Sequence, residues 1–190
     1  MKVHDNILQP NMFKKLQSTI LNAQIPYYFG ESTAFREKEK PDVLDYSWSH
    51  LVYEEGQQLS SLSSFLETVL LSALDNAEIE IQNLIRIRIG LITATKDPIV
   101  HDPHIDYETD HQVGLLYVHD SDGDTIIYKN TYETNSSYNS IDFIKDKKLE
   151  VLEQVKPVGN RMVFFNGLQY HSSTTPIHHN KRIAINFNYV

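Results

Sequence analysis

The chain predicts a mostly β fold, a double-stranded β-helix (jelly roll) with supporting α-helices, and three observations carry that expectation. From residue 84 onward, apolar residues recur with a period near two, in short runs broken by strong turn signals. Ahead of them lie two stretches with helical spacing. There is no repeat, no low-complexity tract and no visible boundary, so residues 1–190 read as one domain. Many short strands preceded by helices fit two packed sheets with helical support.

Taken in order, residues 10–22 (PNMFKKLQSTILN) place Met12, Leu16, Thr19 and Ile20 near helical spacing behind a Pro-Asn start that suits a helix N-terminus. Residues 26–58 show no clear period, but their Tyr and Trp content suggests packed extended pieces rather than a linker. Residues 60–78 form the strongest helix signal, with Leu62, Phe65, Leu66, Val69, Leu70 and Ala73 on one stripe and Ser64 with Glu67 as a capping box. The strand candidates are Leu84–Ile92, Val113–His119, Thr125–Lys129, Leu149–Val155, Arg161–Phe165 and Arg182–Tyr189. In the first, Ile85, Ile87 and Ile89 alternate with Arg86 and Arg88. Asp120-Ser121-Asp122-Gly123 and Pro157-Val158-Gly159-Asn160 mark turns between them.

Composition narrows the function. With 41% hydrophobic and 22% charged residues over 190 positions, the chain can bury a core. A formal charge of −8 and a pI near 5.5 argue against nucleic acid as the main partner. The basic pairs and runs at Lys14-Lys15 and Lys145–Lys148 are opposed by acids and read as solvated faces. The absence of cysteine rules out disulfides and thiolate metal sites. No apolar leader follows Met1 and no apolar run reaches membrane-spanning length, which predicts a soluble, intracellular (cytoplasmic) protein without membrane contact. Seven of the nine histidines lie between His101 and His179, so any metal here is to be held by imidazole and carboxylate.

The segment HDPHIDYETD (101–110) is the focus of that histidine-rich half. In His104-Ile105-Asp106, extended backbone sends the side chains at i and i+2 to the same face, where both can grip one ion. An H-x-D pair alone is weak, since both residues also cap turns. Context adds weight: the pair follows a strong strand, and His171 comes just past the apolar run RMVFF and the turn Asn166-Gly167. The competitors are poorer. His101-Asp102 are adjacent and diverge on a strand, His111 and His119 lack an i+2 carboxylate, and His178-His179 sit in a polar turn. Further on, the alternation in KRIAINFNY puts Arg182, Ala184 and Asn186 on one strand face, which reads as a polar pocket floor or as a solvated edge.

That order, H-x-D, a long gap, a lone His and an Arg about ten residues later, resembles the Fe(II)- and 2-oxoglutarate-dependent oxygenases. RIAINFNY after the distal His is similar to their prolyl-hydroxylase branch. The resemblance implies a 2-His-1-carboxylate facial triad of His104, Asp106 and His171 holding Fe(II), with open positions for 2-oxoglutarate and O2. It implies that Arg182 takes the distal carboxylate of 2-oxoglutarate, with Asn186 in the place of an assisting hydroxyl residue and Tyr117, in LLYVHDSDGDT, reaching the same carboxylate. His119 stands where that family more often shows Asn, and Asp124 where it shows a small residue. The opening VHDNILQPNMF and the later IPYYFG look like small single-domain members encoded by bacteriophages and marine bacteria.

The implied reaction couples oxidative decarboxylation of 2-oxoglutarate to oxidation, most often hydroxylation, of a prime substrate. That substrate is a peptide or a small molecule that the shared cosubstrate pocket does not identify. Arg86, Arg88 and the aromatics of 27–48 line its mouth or serve as sheet face and core packing. Two other readings stay open on the residues alone: a cupin-like metal enzyme that does not use 2-oxoglutarate, and a non-enzymatic jelly-roll virion or binding protein.

Overall fold

A computed structural model of the chain describes residues 1–22, 24–31, 33, 46–132 and 149–190. The charged stretch REKEKPD and the Lys145–Lys148 run lie outside them. Among the described residues there are two helices and two antiparallel sheets. The larger sheet contains β1 (Lys2–His4), β2 (Tyr28–Gly30), β3 (Ser47–Glu54), β4 (Gln57–Gln58), β5 (Leu84–Thr93), β6 (Gln112–Tyr117), β9 (Met162–Asn166) and β11 (Lys181–Tyr189). Their order is β1-β9-β6-β11-β5-β3-β2, with β4 paired to β3. The smaller sheet is β10-β7-β8, formed by β7 (Thr125–Thr131), β8 (Val151–Val155) and β10 (Gln169–Ser173). Helices α1 (Pro10–Asn22) and α2 (Ser63–Ala77) complete the set.

The period of two decides the layering. On β11, Ile183, Ile185 and Phe187 join Leu116 of β6, Met162 and Phe164 of β9 and Ile87 and Ile89 of β5 in a core shared with Leu16 and Ile20 of α1 and Leu66, Val69, Leu70 and Ala73 of α2. The alternate residues Val113, Leu115, Tyr117, Val163, Phe165 and Ala184 form a second core with Ile127 and Val155 of the small sheet. The helices therefore cover one face of the large sheet, and its other face turns toward the small sheet. This is the jelly roll with helical support that the pattern predicts.

Helix α2 begins differently from expectation. Its N-cap is Leu62, without a side-chain bond, and Ser64 already lies in the first turn, so the Ser64–Glu67 capping box does not form. The adjacent Ser63 is buried, and its hydroxyl donates to the carbonyls of Val52 and Ser60, both at 2.7 Å. A tertiary bond to β3 thus replaces the local cap. At the other end Glu78 takes a left-handed conformation, φ 54°, and its N–H bonds Asp75 O, while Ile79 N bonds Leu74 O.

Two turns position the site strands. In the turn after β6, Asp122 accepts hydrogen bonds from the backbone N–H groups of Ile177, His178 and His179 at 2.8–3.0 Å, and its Oδ1 meets His179 Nδ1 at 2.9 Å. Gly123 is needed there, because a Cβ would lie 2.6 Å from Thr174 O and 3.0 Å from Pro176 N. The two chains that lead into β7 and β11 are thereby stapled together. At the second turn, Asn160 (φ 66°) is buried and pairs with both the N–H and the carbonyl of Leu8, at 2.9 and 2.8 Å, fixing the N-terminal segment to the sheet.

Burial alone would raise the Asp122 carboxyl, but the N–H groups of His178 and Ile177 and the His179 contacts hold it well below the usual carboxylate range. A depressed carboxyl contributes stability that is present above about pH 4 and lost as pH falls through its folded value. Asp122→Ala is expected to cost about 2–3 kcal/mol, the worth of a multiply bonded carboxylate, measured as a shift of the denaturation midpoint at pH 7. The gap from wild type should narrow by pH 3; a gap that is constant with pH would show that the staple does not act through the carboxylate.

Candidate metal centre and its cavity

His104 and His171 face each other across a two-residue antiparallel bridge. His104 N donates to His171 O and His171 N to His104 O, each at 2.9 Å. A second bridge, Val100 to Thr174, extends the contact, so residues 100–104 run along the edge of β10. The doubly bonded register places the two rings 4.6 Å apart, centroid to centroid. Each imidazole has its Nδ1 near a backbone carbonyl two residues upstream, Asp102 O at 3.3 Å and Gln169 O at 3.2 Å. In that tautomer Nε2 is left free as a metal donor. Phe165 packs edge-on against the His171 ring.

Asp106 completes the cluster: one donor atom from each of His104, Asp106 and His171 lies within 4.8 Å of the others. Its side chain is only 3% exposed. Arg86 Nη2 donates to Oδ1 at 2.7 Å, while Asn186 Nδ2 and Asn188 Nδ2 donate to Oδ2 at 2.9 and 2.8 Å. Arg86 also donates from Nε to Asn188 Oδ1 at 3.0 Å and lies over the ring of Tyr107, 4.9 Å from its centroid. The β5–β11 register, with Arg86 opposite Asn188 and Arg88 opposite Asn186, is what brings these donors together.

The charges suit a metal. Burial would raise Asp106, but Arg86 and then His171 hold it well below the ordinary value, so it is ionised. Burial, reinforced by His171, pushes His104 down to about 3, and burial, only partly offset by Asp106, lowers His171. Two neutral imidazoles and one carboxylate anion are the protonation states that ligation requires. Among the described residues this is the one His/Asp/Glu group with donors close enough to hold an ion.

A cavity opens over the cluster, and His104, His171, Arg88, Arg182 and Asn186 are among its lining residues. Arg182 is buried at its rim. Its Nη2 donates to Thr125 Oγ1 at 2.6 Å, and Tyr117 Oη donates to the same hydroxyl at 2.8 Å. The Arg182 guanidinium carbon lies 5.5 Å from the Tyr117 ring centroid, and its Nε is buried without a partner. Burial lowers its basicity, which Tyr117 and Asp124 partly restore. No carboxylate forms a salt bridge with it among the described residues.

Each residue singled out from the sequence can now be placed. His104, Asp106 and His171 come together, Arg182 and Tyr117 are side by side, and Asn186 lies nearer the metal cluster, its amide donating to Asp106. The hydroxyl that meets Arg182 is that of Thr125, whose only local signal is its place at the start of a strand after an acidic turn. Asn188 and Arg86 were missed as partners of Asp106. His111 is buried with Nδ1 2.8 Å from Thr109 O, His101 Nδ1 lies 2.8 Å from Ser173 Oγ, and His119 accepts from Ile183 N at 3.2 Å. None of those three histidines belongs to the metal cluster.

No family model matches the chain, and no curated protein matches it. Solved structures do. The non-haem α-ketoglutarate-dependent epimerase SnoN from nogalamycin biosynthesis superposes with a TM-score of 0.66 at 10% identity, over 99% of this chain and 77% of its own. A prolyl hydroxylase from Trichoplax adhaerens, in complex with a hypoxia-inducible-factor peptide fragment, gives 0.61 at 10% identity, over 99% and 82%. HygX from Streptomyces hygroscopicus, with nickel and 2-oxoglutarate bound, gives 0.60 at 10% identity, over 98% and 81%. These neighbours define the fold: it is the jelly roll of the 2-oxoglutarate–Fe(II) oxygenases, prolyl hydroxylases included. No helix among the described residues is long and apolar enough to cross a membrane.

Because both imidazoles and Asp106 sit below their ordinary pKa values, the folded protein binds fewer protons than the unfolded chain once pH drops below 6.5. Stability present above that pH is therefore lost as pH falls toward 3, at up to about 1.4 kcal/mol per pH unit for each imidazole. Urea midpoints between pH 7.5 and 4 should show this slope in metal-free protein, and His104→Gln should flatten it. An unchanged slope would remove His104 from the titrating set.

Proposed function

We propose that this chain is an Fe(II)- and 2-oxoglutarate-dependent dioxygenase, acting as a hydroxylase, with residues 1–190 as one oxygenase domain. Its fold is that of such enzymes. The observation that carries the reading is the pairing, in one cavity, of a His2Asp cluster with a buried guanidinium whose Nε has no partner. A cupin-like enzyme that does not use 2-oxoglutarate, or a jelly roll that only binds or encloses, has no need to bury Arg182 there. An unpaired buried cation is costly, and the distal carboxylate of 2-oxoglutarate is the anion that relieves it.

His104, Asp106 and His171 would hold the iron. With 2-oxoglutarate and O2 bound, that iron supplies the oxidising chemistry that protein side chains lack, coupling decarboxylation of the cosubstrate to oxidation of a prime substrate. The protein's own part is positional. Arg86, Asn186 and Asn188 fix the Asp106 carboxylate, the two backbone carbonyls fix the imidazole tautomers, and Thr125 with Tyr117 holds the Arg182 fork at the rim. Tyr117 and Asn186 assist the cosubstrate end in this reading, Tyr117 through the Arg182–Thr125 cluster and Asn186 through its place between Asp106 and the cavity. The prime substrate is a peptide or a small molecule, and the acidic charge disfavours nucleic acid.

Arg182→Ala is expected to weaken 2-oxoglutarate binding about 10- to 100-fold, the worth of a charge-assisted bidentate contact, while Fe(II) binding is kept. Anaerobic titration with Fe(II) and then 2-oxoglutarate, followed by the metal-to-ligand charge-transfer band, reads both. A wild-type protein that binds Fe(II) but develops no such band would sink the oxygenase reading.

A further inference from the structure

Under the reading above, the cosubstrate uses one guanidinium, yet the cavity contains two. Arg88 also lines it, and the Arg88 Nε is buried with no hydrogen-bond partner. Its neighbour Arg86 is spent on Asp106, but Arg88 forms no salt bridge among the described residues. Burial first, and Arg86 next, depress its basicity, with Asp106 offering partial relief. The described residues thus leave a second, half-buried cation beside the metal cluster with its Nε buried and no internal anion on it, an arrangement that costs stability and calls for an anion from outside.

The register says that this anion is not the tail of the cosubstrate. On β11 the cavity-facing residues are Arg182, Ala184 and Asn186; on β5 the residues opposite them are Ile92, Gly90 and Arg88. Arg88 therefore stands four residues from the Arg182 level, roughly 13 Å along the strand, and one strand to the side, about 4.8 Å. One five-carbon diacid reaching Arg182 cannot also give that same tail to Arg88. The floor beside Arg88 is open, since a Cβ on Gly90 would meet nothing closer than Ala184 O at 3.9 Å. The same face continues onto the neighbouring strand β3, with Ser49 opposite Gly90 and with Ser47 and Ser49 among the lining residues.

Resting on the oxygenase reading, we propose that Arg88 selects the prime substrate by pairing with an anionic group on it, so that the substrate is a small organic acid bound over the cavity face shared by β5 and β3. A planar guanidinium takes carboxylate and phosphate oxygens alike, so the charge is assigned and the choice between those groups is left to measurement.

Isothermal titration calorimetry reports occupancy without turnover. Protein loaded with Ni(II) and 2-oxoglutarate would be titrated with matched pairs of small carboxylic acids and their amides, and of phosphate monoesters and their parent alcohols. At least one acid should give a binding isotherm, its neutral counterpart should not, and the hit should stimulate succinate release by the Fe(II) protein. Arg88→Gln should weaken the hit about 10- to 100-fold, leave 2-oxoglutarate binding unchanged, and be partly rescued in Arg88→Lys. If Arg88→Gln fails to fold, the acid-against-neutral comparison on wild type still decides. Equal binding of neutral partners, or no response to any acid, overturns the proposal while leaving the oxygenase reading intact. So does loss of 2-oxoglutarate binding in Arg88→Gln, which would give Arg88 to the cosubstrate's own metal-end carboxylate. Failure of wild type to bind 2-oxoglutarate overturns both, and is seen before the panel is run.

Discussion

The site depends first on a pair of backbone hydrogen bonds. Residue 104 lies in a loop segment and residue 171 in the small sheet, 67 positions apart in the chain. What makes them neighbours is that each donates its N–H to the other's carbonyl. A hydrogen-bonded antiparallel pair fixes both Cα positions and both Cβ directions at once. The imidazoles then need little further adjustment to share one ion, and Asp106 arrives on the same face two residues on.

Around that bridge the fold distributes buried charge unevenly. Asp106 is oversupplied, with one guanidinium and two amides on its oxygens, and its ionisation is secured by them. Arg88 and Arg182 are undersupplied, each with a buried Nε that bonds to nothing. The helices have no direct part in this, yet they make it possible. By covering the outer face of the large sheet with Leu and Val side chains they leave its inner face free for Arg86, Arg88, Arg182, Asn186 and Asn188. One greasy and one polar face on β5 and β11 is what the alternation in RIRIG and RIAINFN encodes.

Much of this was legible in the chain. Strands β5, β6, β9 and β11 and helix α2 follow directly from period, because each has one fully apolar face. Strand β10 did not declare itself: QYHSS is short and polar, and its role is to carry His171 rather than to fill a core. Strands β1, β2 and β4 span two or three residues, too few for a period to register, and they form by pairing with a neighbour already in place. At the centre, His104, Asp106, His171 and Arg182 were visible as residue types in an order. Their partners were not, since Arg86 meets Asn188 only through the β5–β11 register, and Thr125 meets Arg182 only where the two sheets converge. Local spacing contains no trace of such meetings. The same limit explains the capping box that did not form, where the hydroxyl of Ser63 turned to β3 instead.

The Asp122 staple has a consequence for how this molecule tolerates change in length. Thr125 follows Asp122 by three residues and Arg182 follows His179 by three, so the two halves of the rim are counted off from a common knot by equal, odd steps. Side chains alternate along an extended backbone, and so the parity of those steps determines which side of the wall each residue presents. The short arms downstream of the knot cannot gain or lose a single residue without turning one of those side chains out of the wall, so these are the parts of the outline that must keep time.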